Sequence, residues 1–149
     1  MKIFAENKRG AYGYEILERM QAGIVLLGHE VKSVRMGRFQ LAGSYVVPTR
    51  GELWLVGATI PAYQPKNTPA DYDPGRSRKL LVHKREMKGL MGKSKARGLT
   101  MIPLRVYSAD HGTIKLEFAL ARGKKEHDKR QTIAKREAER EMRAALKNR

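Results

Sequence analysis

Four histidines, His29, His83, His111 and His127, are the side chains best suited to metal or acid–base chemistry. They share no metal-ligand spacing. His127-Asp128 sets an imidazole beside a carboxylate, but a metal site needs several further ligands, and the acids nearby sit among lysines and arginines. Ser33 and Ser44 have no base close in sequence. Cysteine is absent, as are a glycine-rich phosphate loop before a helix and a G-x-S-x-G turn. The residues therefore predict no catalytic group, no metal and no cofactor. What the chain carries is charge: 31 Lys and Arg against 15 Asp and Glu, a net +16. Charge on that scale points to a polyanion, with nucleic acid ahead of an anionic membrane surface.

The cations are clustered. Between Arg76 and Arg97 nine basic residues (76, 78, 79, 84, 85, 88, 93, 95, 97) face one acid, Glu86. From Gly123 to Arg149 ten basic residues face five acids. Asn7-Lys8-Arg9 lies in a polar N-terminal arm, Met1 to Ala11. A short helix is predicted over Glu30 to Met36, where Glu30 suits the positive helix end and Lys32 and Arg35, three apart, share a face away from Val31 and Val34. By itself that face reads equally well as a solvated one.

These clusters need elements to hold them. Thr113 to Arg122 alternates cleanly, with Ile114, Leu116, Phe118 and Leu120 on one face, and Gly123 ends it. Further strands are expected over Tyr12 to Leu17, Ile24 to Leu27, Ser44 to Val47, Glu52 to Ile60 and Leu99 to Ser108, the first two forming a hairpin about Gln21-Ala22-Gly23. Trp54 is expected in the core. A helix is expected near His83 to Gly92, after a long irregular segment from Pro61 to Arg78. The fold class is mainly β: a small antiparallel oligonucleotide-binding-type barrel of about six strands, with two or three short helices and a basic C-terminal tail. Residues 1–122 are the barrel domain. Residues 123–149 hold only three large apolar residues, Ile133, Met142 and Leu146. They are expected to be disordered when free and helical when bound. No apolar run approaches the roughly 20 residues of a membrane span, and MKIFAENKRG lacks a signal-peptide core. The expectation is a soluble cytoplasmic protein, monomeric when free, with no membrane partner.

Several segments in the same order resemble the SmpB family, small proteins that bind transfer-messenger RNA (SsrA RNA). The resemblance runs from about Ile3 to Arg136. It is carried by Asn7-Lys8-Arg9 with Tyr14 and Ile16; by Ala22-Gly23-Ile24, Gly28, Glu30-Val31-Lys32-Ser33 and Arg35; by Ser44-Tyr45-Val46; by Asp73-Pro74 with Arg76, Arg78, Lys79, Leu80 and Leu81; and by Gly123-Lys124-Lys125 with His127-Asp128-Lys129-Arg130. The family has a basic-histidine pair where this chain has Ala11-Tyr12. The resemblance implies an oligonucleotide-binding-type barrel that binds the transfer-RNA-like domain of that RNA and helps deliver it to stalled ribosomes for trans-translation, without being a catalyst. It implies RNA contacts through Asn7, Lys8, Arg9, Tyr14, Glu30, Lys32, Ser33, Arg35, Arg76, Arg78, Lys79, Lys124 and Lys125. It places His127, Asp128, Lys129, Arg130, Ile133, Lys135 and Arg136 on the ribosome, at the decoding region and in the empty message channel. A ribosomal or ribosome-assembly protein of the same barrel type is the alternative, and an unspecific single-strand binder is disfavoured because few aromatics are free to stack bases.

Overall fold

The structure, a computed structural model, describes residues 1–94, 98–124 and 128–147, and within these the side chains of all but 94, 128–134 and 147. The chain runs β1 (Lys2–Glu6), α1 (Lys8–Ala11), β2 (Tyr14–Ile24), α2 (Gly28–Arg35), β3 (Tyr45–Thr49), β4 (Glu52–Val56), β5 (Arg78–Leu81), α3 (Lys84–Ser94), β6 (Leu99–Ser108), β7 (Ile114–Gly123) and α4 (Asp128–Lys147). Strands β6-β3-β4-β5-β2-β7 pair in that order, and β7 returns to β6, so the sheet closes on itself. Strand β1 adds to β6 outside the ring. Every pairing is antiparallel. Closure removes the free edges that an open sheet of this size would present.

The predicted inward row of β7 is the barrel interior. Leu116, Phe118 and Leu120 pack there with Val46, Leu53, Leu55, Leu80 and Met101. The outward row of β7 is covered as well, because Ala119 and Ala121 lie under Tyr14 and Ile102. Small residues there let a second apolar layer sit close on the sheet. Val34 and Leu90 bring α2 and α3 onto the interior cluster.

Three expectations change. There is no N-terminal hairpin: Gln21, Ala22 and Gly23 pair with Glu117, Leu116 and Lys115, and β2 is one strand of 11 residues. A continuous ladder to β7 satisfies the backbone at each of these positions, which outweighs the turn character of the tripeptide. The N-terminal arm is partly a strand, with Lys2 opposite Ser108 and Glu6 opposite Arg105. Leu80 and Leu81, whose apolar spacing suits the helix expected near His83 to Gly92, belong instead to β5 and pair with Ile24 and Gly23. The tail carries a helix that lies on the barrel: Ala138 and Met142 are buried against Val47, Trp54 and Val56. Three large apolar residues looked too few to bury the segment. Ala138 and Met142 are a helical turn apart, and the barrel supplies the rest of the apolar surface.

Candidate nucleic-acid interface

Two groups of the sequence-selected residues come together on different elements. The first is built on α2. Glu30 is fully buried, and its Oε1 accepts the Leu27 N–H at 2.8 Å, closing the first turn of the helix. The same carboxylate receives Arg76 through Nε at 3.1 Å and through Nη2. Arg78, also fully buried, donates to Glu30 Oε2 from Nη2 at 2.6 Å and from Nε at 3.2 Å. Its remaining donors reach the carbonyls of Ala58 at 3.0 Å and Pro74 at 2.9 Å. Tyr72 Oη lies 3.0 Å from Glu30 Oε2 and 2.7 Å from the Ile60 carbonyl, with its ring edge-on to His29.

One carboxylate thus ties α2 to β5 and to the loop before it. Burial pushes the Glu30 carboxyl up, but hydrogen bonds from Arg76, the Leu27 N–H and Arg78 outweigh it and hold the group at about 2. Burial first, then the Glu30 hydrogen bond, raises Tyr72 to about 12. Ser33 is buried and donates to the Pro61 carbonyl at 2.7 Å, pinning the next segment. What α2 presents outward is Lys32, whose ammonium lies 5.8 Å from the centre of the Tyr63 ring, and Arg35, which donates to the Gly112 carbonyl at 2.9 Å. Further along β5, Lys79 pairs with Glu52 at 2.7 Å.

The second group surrounds α1. Asn7 is buried: its Oδ1 caps the Gly10 N–H at 3.1 Å and its Nδ2 donates to the Pro103 carbonyl at 2.8 Å. A Cβ on Gly10 would fall 2.2 Å from that side chain, so a larger residue at position 10 would have to shift the Asn7 side chain. Lys8 and Arg9 follow on the outer surface, and Tyr12 stands 82% exposed. Tyr14, at the start of β2, is buried against Ile102, Ala119 and Ala121. The Lys124 N–H closes on the Gly13 carbonyl at 2.8 Å, which brings the Lys124 side chain to the same end of the barrel. Lys125 and His127 lie outside the described residues. Asp128, Lys129, Arg130 and Ile133 are in α4 with side chains outside the described set, Lys135 donates to the Leu99 carbonyl at 2.7 Å, and Arg136 is exposed.

The structure therefore divides the sequence-selected residues by burial. Asn7, Tyr14, Glu30, Ser33 and Arg78 are internal and hold the surface in shape, with Arg76 a quarter exposed beside them. Lys8, Arg9, Lys32, Arg35 and Lys124 are exposed, Lys8 with Glu6 3.6 Å from its ammonium. Sequence reasoning missed Tyr72, the fourth member of the Glu30 cluster. Its signal was weak: an aromatic in a proline-rich loop, followed by Asp73-Pro74-Gly75. It also missed Glu117, which joins Arg19 at 3.2 Å and Arg105 at 3.3 Å on the outward row of the barrel. Alternation alone puts Glu117 only on the face opposite Leu116 and Phe118. Among the described residues no group of three His, Cys, Asp or Glu is placed to hold a metal ion.

Comparison with known proteins agrees with these features. The family model described as SmpB protein matches residues 4–148. An SsrA-binding protein of Thermosynechococcus vestitus is 44% identical over 149 residues, covering 100% of this chain and 97% of that one. One from Carboxydothermus hydrogenoformans is 47% identical over 148 residues, covering 99% and 98%. A solved structure described as "tmRNA-SmpB: a journey to the center of the bacterial ribosome" contains a chain 46% identical, with a TM-score of 0.66 over 82% of this chain and 85% of that one.

Proposed function

Since the chain belongs to the SmpB family, we propose that it binds transfer-messenger RNA and delivers it to stalled ribosomes for trans-translation, so that incomplete peptides are tagged and the ribosomes freed. The observation that carries this reading is that the family match spans both barrel and tail helix, residues 4–148. The barrel, residues 1–122, takes the transfer-RNA-like domain. Lys8, Arg9, Lys32, Arg35 and Lys124 supply phosphate contacts, and Glu30 with Arg76 and Arg78 fixes the angle at which α2 offers its cations. The tail, residues 123–149, works on the ribosome at the decoding region and in the vacant message channel, through His127, Asp128, Lys129, Arg130, Ile133, Lys135 and Arg136.

The protein acts by binding and placement, and peptide transfer is the ribosome's own chemistry. No helix among the described residues is long and apolar enough to cross a membrane. The place of work is the cytoplasm, where the ribosomes are. The test is the RNA that co-purifies with the protein from cells. Transfer-messenger RNA should be enriched over ribosomal RNA, and recovery of ribosomal RNA alone would point instead to a ribosomal or assembly protein.

A further inference from the structure

The chain holds three Phe, one Trp and six Tyr. Phe4, Phe39, Phe118, Trp54, Tyr14 and Tyr107 are buried. Tyr45 packs on two apolar clusters of the barrel, and Tyr72 is taken up by Glu30 and the Ile60 carbonyl. Tyr12 and Tyr63 remain. Tyr12 is 82% exposed at the end of α1, so no packing fixes its ring. Tyr63 is only partly exposed, and the chain on both sides of it is tied down. Two residues earlier, the Pro61 carbonyl accepts from the buried Ser33 hydroxyl of α2 at 2.7 Å. Immediately after it, the Gln64 side chain and carbonyl accept from Asn67 Nδ2 at 2.9 Å and Thr68 Oγ1 at 2.7 Å, closing a 3-10 turn over Pro65–Asn67. Lys32, the residue before Ser33, sets its ammonium 5.8 Å from the centre of the Tyr63 ring. The same turn of α2 therefore pins the loop and offers a cation to its aromatic. Lys32, Arg35 and Lys66 on the following turn are all exposed.

Resting on the reading that the protein binds transfer-messenger RNA, we infer that Tyr63 is a stacking platform for one unpaired base of that RNA, with Lys32 taking the phosphate beside it. Folded RNA is recognised by protein where bases are turned out of loops and bulges onto aromatic rings. A ring held on both sides loses little freedom when a base lands on it, so more of the stacking energy appears as affinity. In the free protein the ring and the ammonium satisfy each other. A nucleotide gives each a better partner: the phosphate draws Lys32, and the base takes the ring. The cations around Tyr63 favour such a polyanion over an apolar protein surface. The platform adds a contact that salt does not screen to a surface otherwise read through charge.

The probe is a purified transcript of the transfer-RNA-like domain, titrated against the full-length protein at several salt concentrations. Tyr63→Phe keeps the ring and should bind like the parent. Tyr63→Leu keeps apolar bulk without the ring. It should weaken binding by about 5- to 150-fold at every salt concentration with the log–log slope unchanged, because stacking releases no counterions. Lys32→Ala should change the slope instead, so the two losses are distinct. Tyr63→Trp gives the direct reading: it should bind like the parent, and RNA should quench the added emission, with the buried Trp54 of the parent as reference. Parent-level affinity or a flattened slope in Tyr63→Leu overturns the platform, as does Tyr63→Trp that binds RNA without quenching. Tyr63→Phe as weak as Tyr63→Leu overturns stacking in favour of the hydroxyl. Tyr63→Leu that keeps its RNA affinity but loses peptide transfer would put a ribosomal protein on the ring in place of a base. Failure of the underlying functional reading appears separately, as a parent protein that does not bind the transcript.

Discussion

Arg78 Nη2 lies 2.6 Å from Glu30 Oε2, and neither side chain has any solvent exposure. Both residues belong to the segments that suggest RNA recognition from sequence, yet their charges meet each other inside the protein. Removing one partner from such a pair leaves the other buried without compensation, which costs roughly 3–5 kcal/mol. Glu30→Gln should therefore unfold at a temperature lower by roughly 6–20 °C, at about 2–4 °C per kcal/mol for a chain of this size. Differential scanning calorimetry decides the matter. A variant as stable as the parent but weaker for RNA would show that Glu30 recognises the ligand directly.

The same carboxylate gives a pH signature. Its pKa is about 2 in the folded protein against an ordinary value of 4.5, so the unfolded chain binds the proton more readily between those values. The contribution is therefore present above about 4.5 and is lost as pH falls towards 2, amounting to about 3 kcal/mol at full size. Stability measured by urea titration from pH 6 to pH 3 should fall more steeply for the parent than for Glu30→Gln. Equal slopes would mean that the guanidinium pair does not hold the carboxylate.

The barrel was legible because alternation survives wherever one face is buried, as in Ile114, Leu116, Phe118 and Leu120. What failed was context. Gln21-Ala22-Gly23 looks like a turn until β7 offers a partner along its whole length. Leu80 and Leu81 have apolar spacing compatible with a helix, and only their pairing with Ile24 and Gly23 makes them a strand. In the candidate site, residue types named segments but not the direction of each side chain. Arg78 and Lys79 are adjacent, and the period of two sends the first fully inside and leaves the second at the surface. The docking of α4 needed two distant patterns, Ala138 with Met142 and Val47 with Trp54, neither of which is informative alone.

Outward cations should act through phosphate. With about six phosphates neutralised, affinity for the transfer-RNA-like domain should drop on the order of a thousandfold between about 50 and 200 mM salt. Lys32→Ala and Lys8→Ala should each flatten the log–log salt slope by about 1 without changing thermal stability, since both side chains are exposed. Filter binding across four salt concentrations measures both quantities. A slope that neither variant changes would move the RNA contact to other residues.

Truncation after Lys129 should separate the two proposed jobs. Every strand among the described residues lies before residue 124, so the barrel retains these pairings. What it loses is the cover over Val47, Trp54 and Val56. Burial of Met142 is worth about 2 kcal/mol, so the truncated protein should melt about 4–8 °C lower, using the same per-kcal/mol scale. The cations proposed for RNA binding, Lys8, Arg9, Lys32, Arg35 and Lys124, all remain, and binding to the transfer-RNA-like domain should survive. Peptide transfer on ribosomes carrying a truncated message should fail, because Arg130, Ile133, Lys135 and Arg136 are gone from the tail. The paired readout, RNA affinity and peptide transfer from one preparation, locates the boundary. Transfer that persists would make the tail dispensable, and loss of RNA binding in a folded barrel would put part of the RNA surface beyond residue 129.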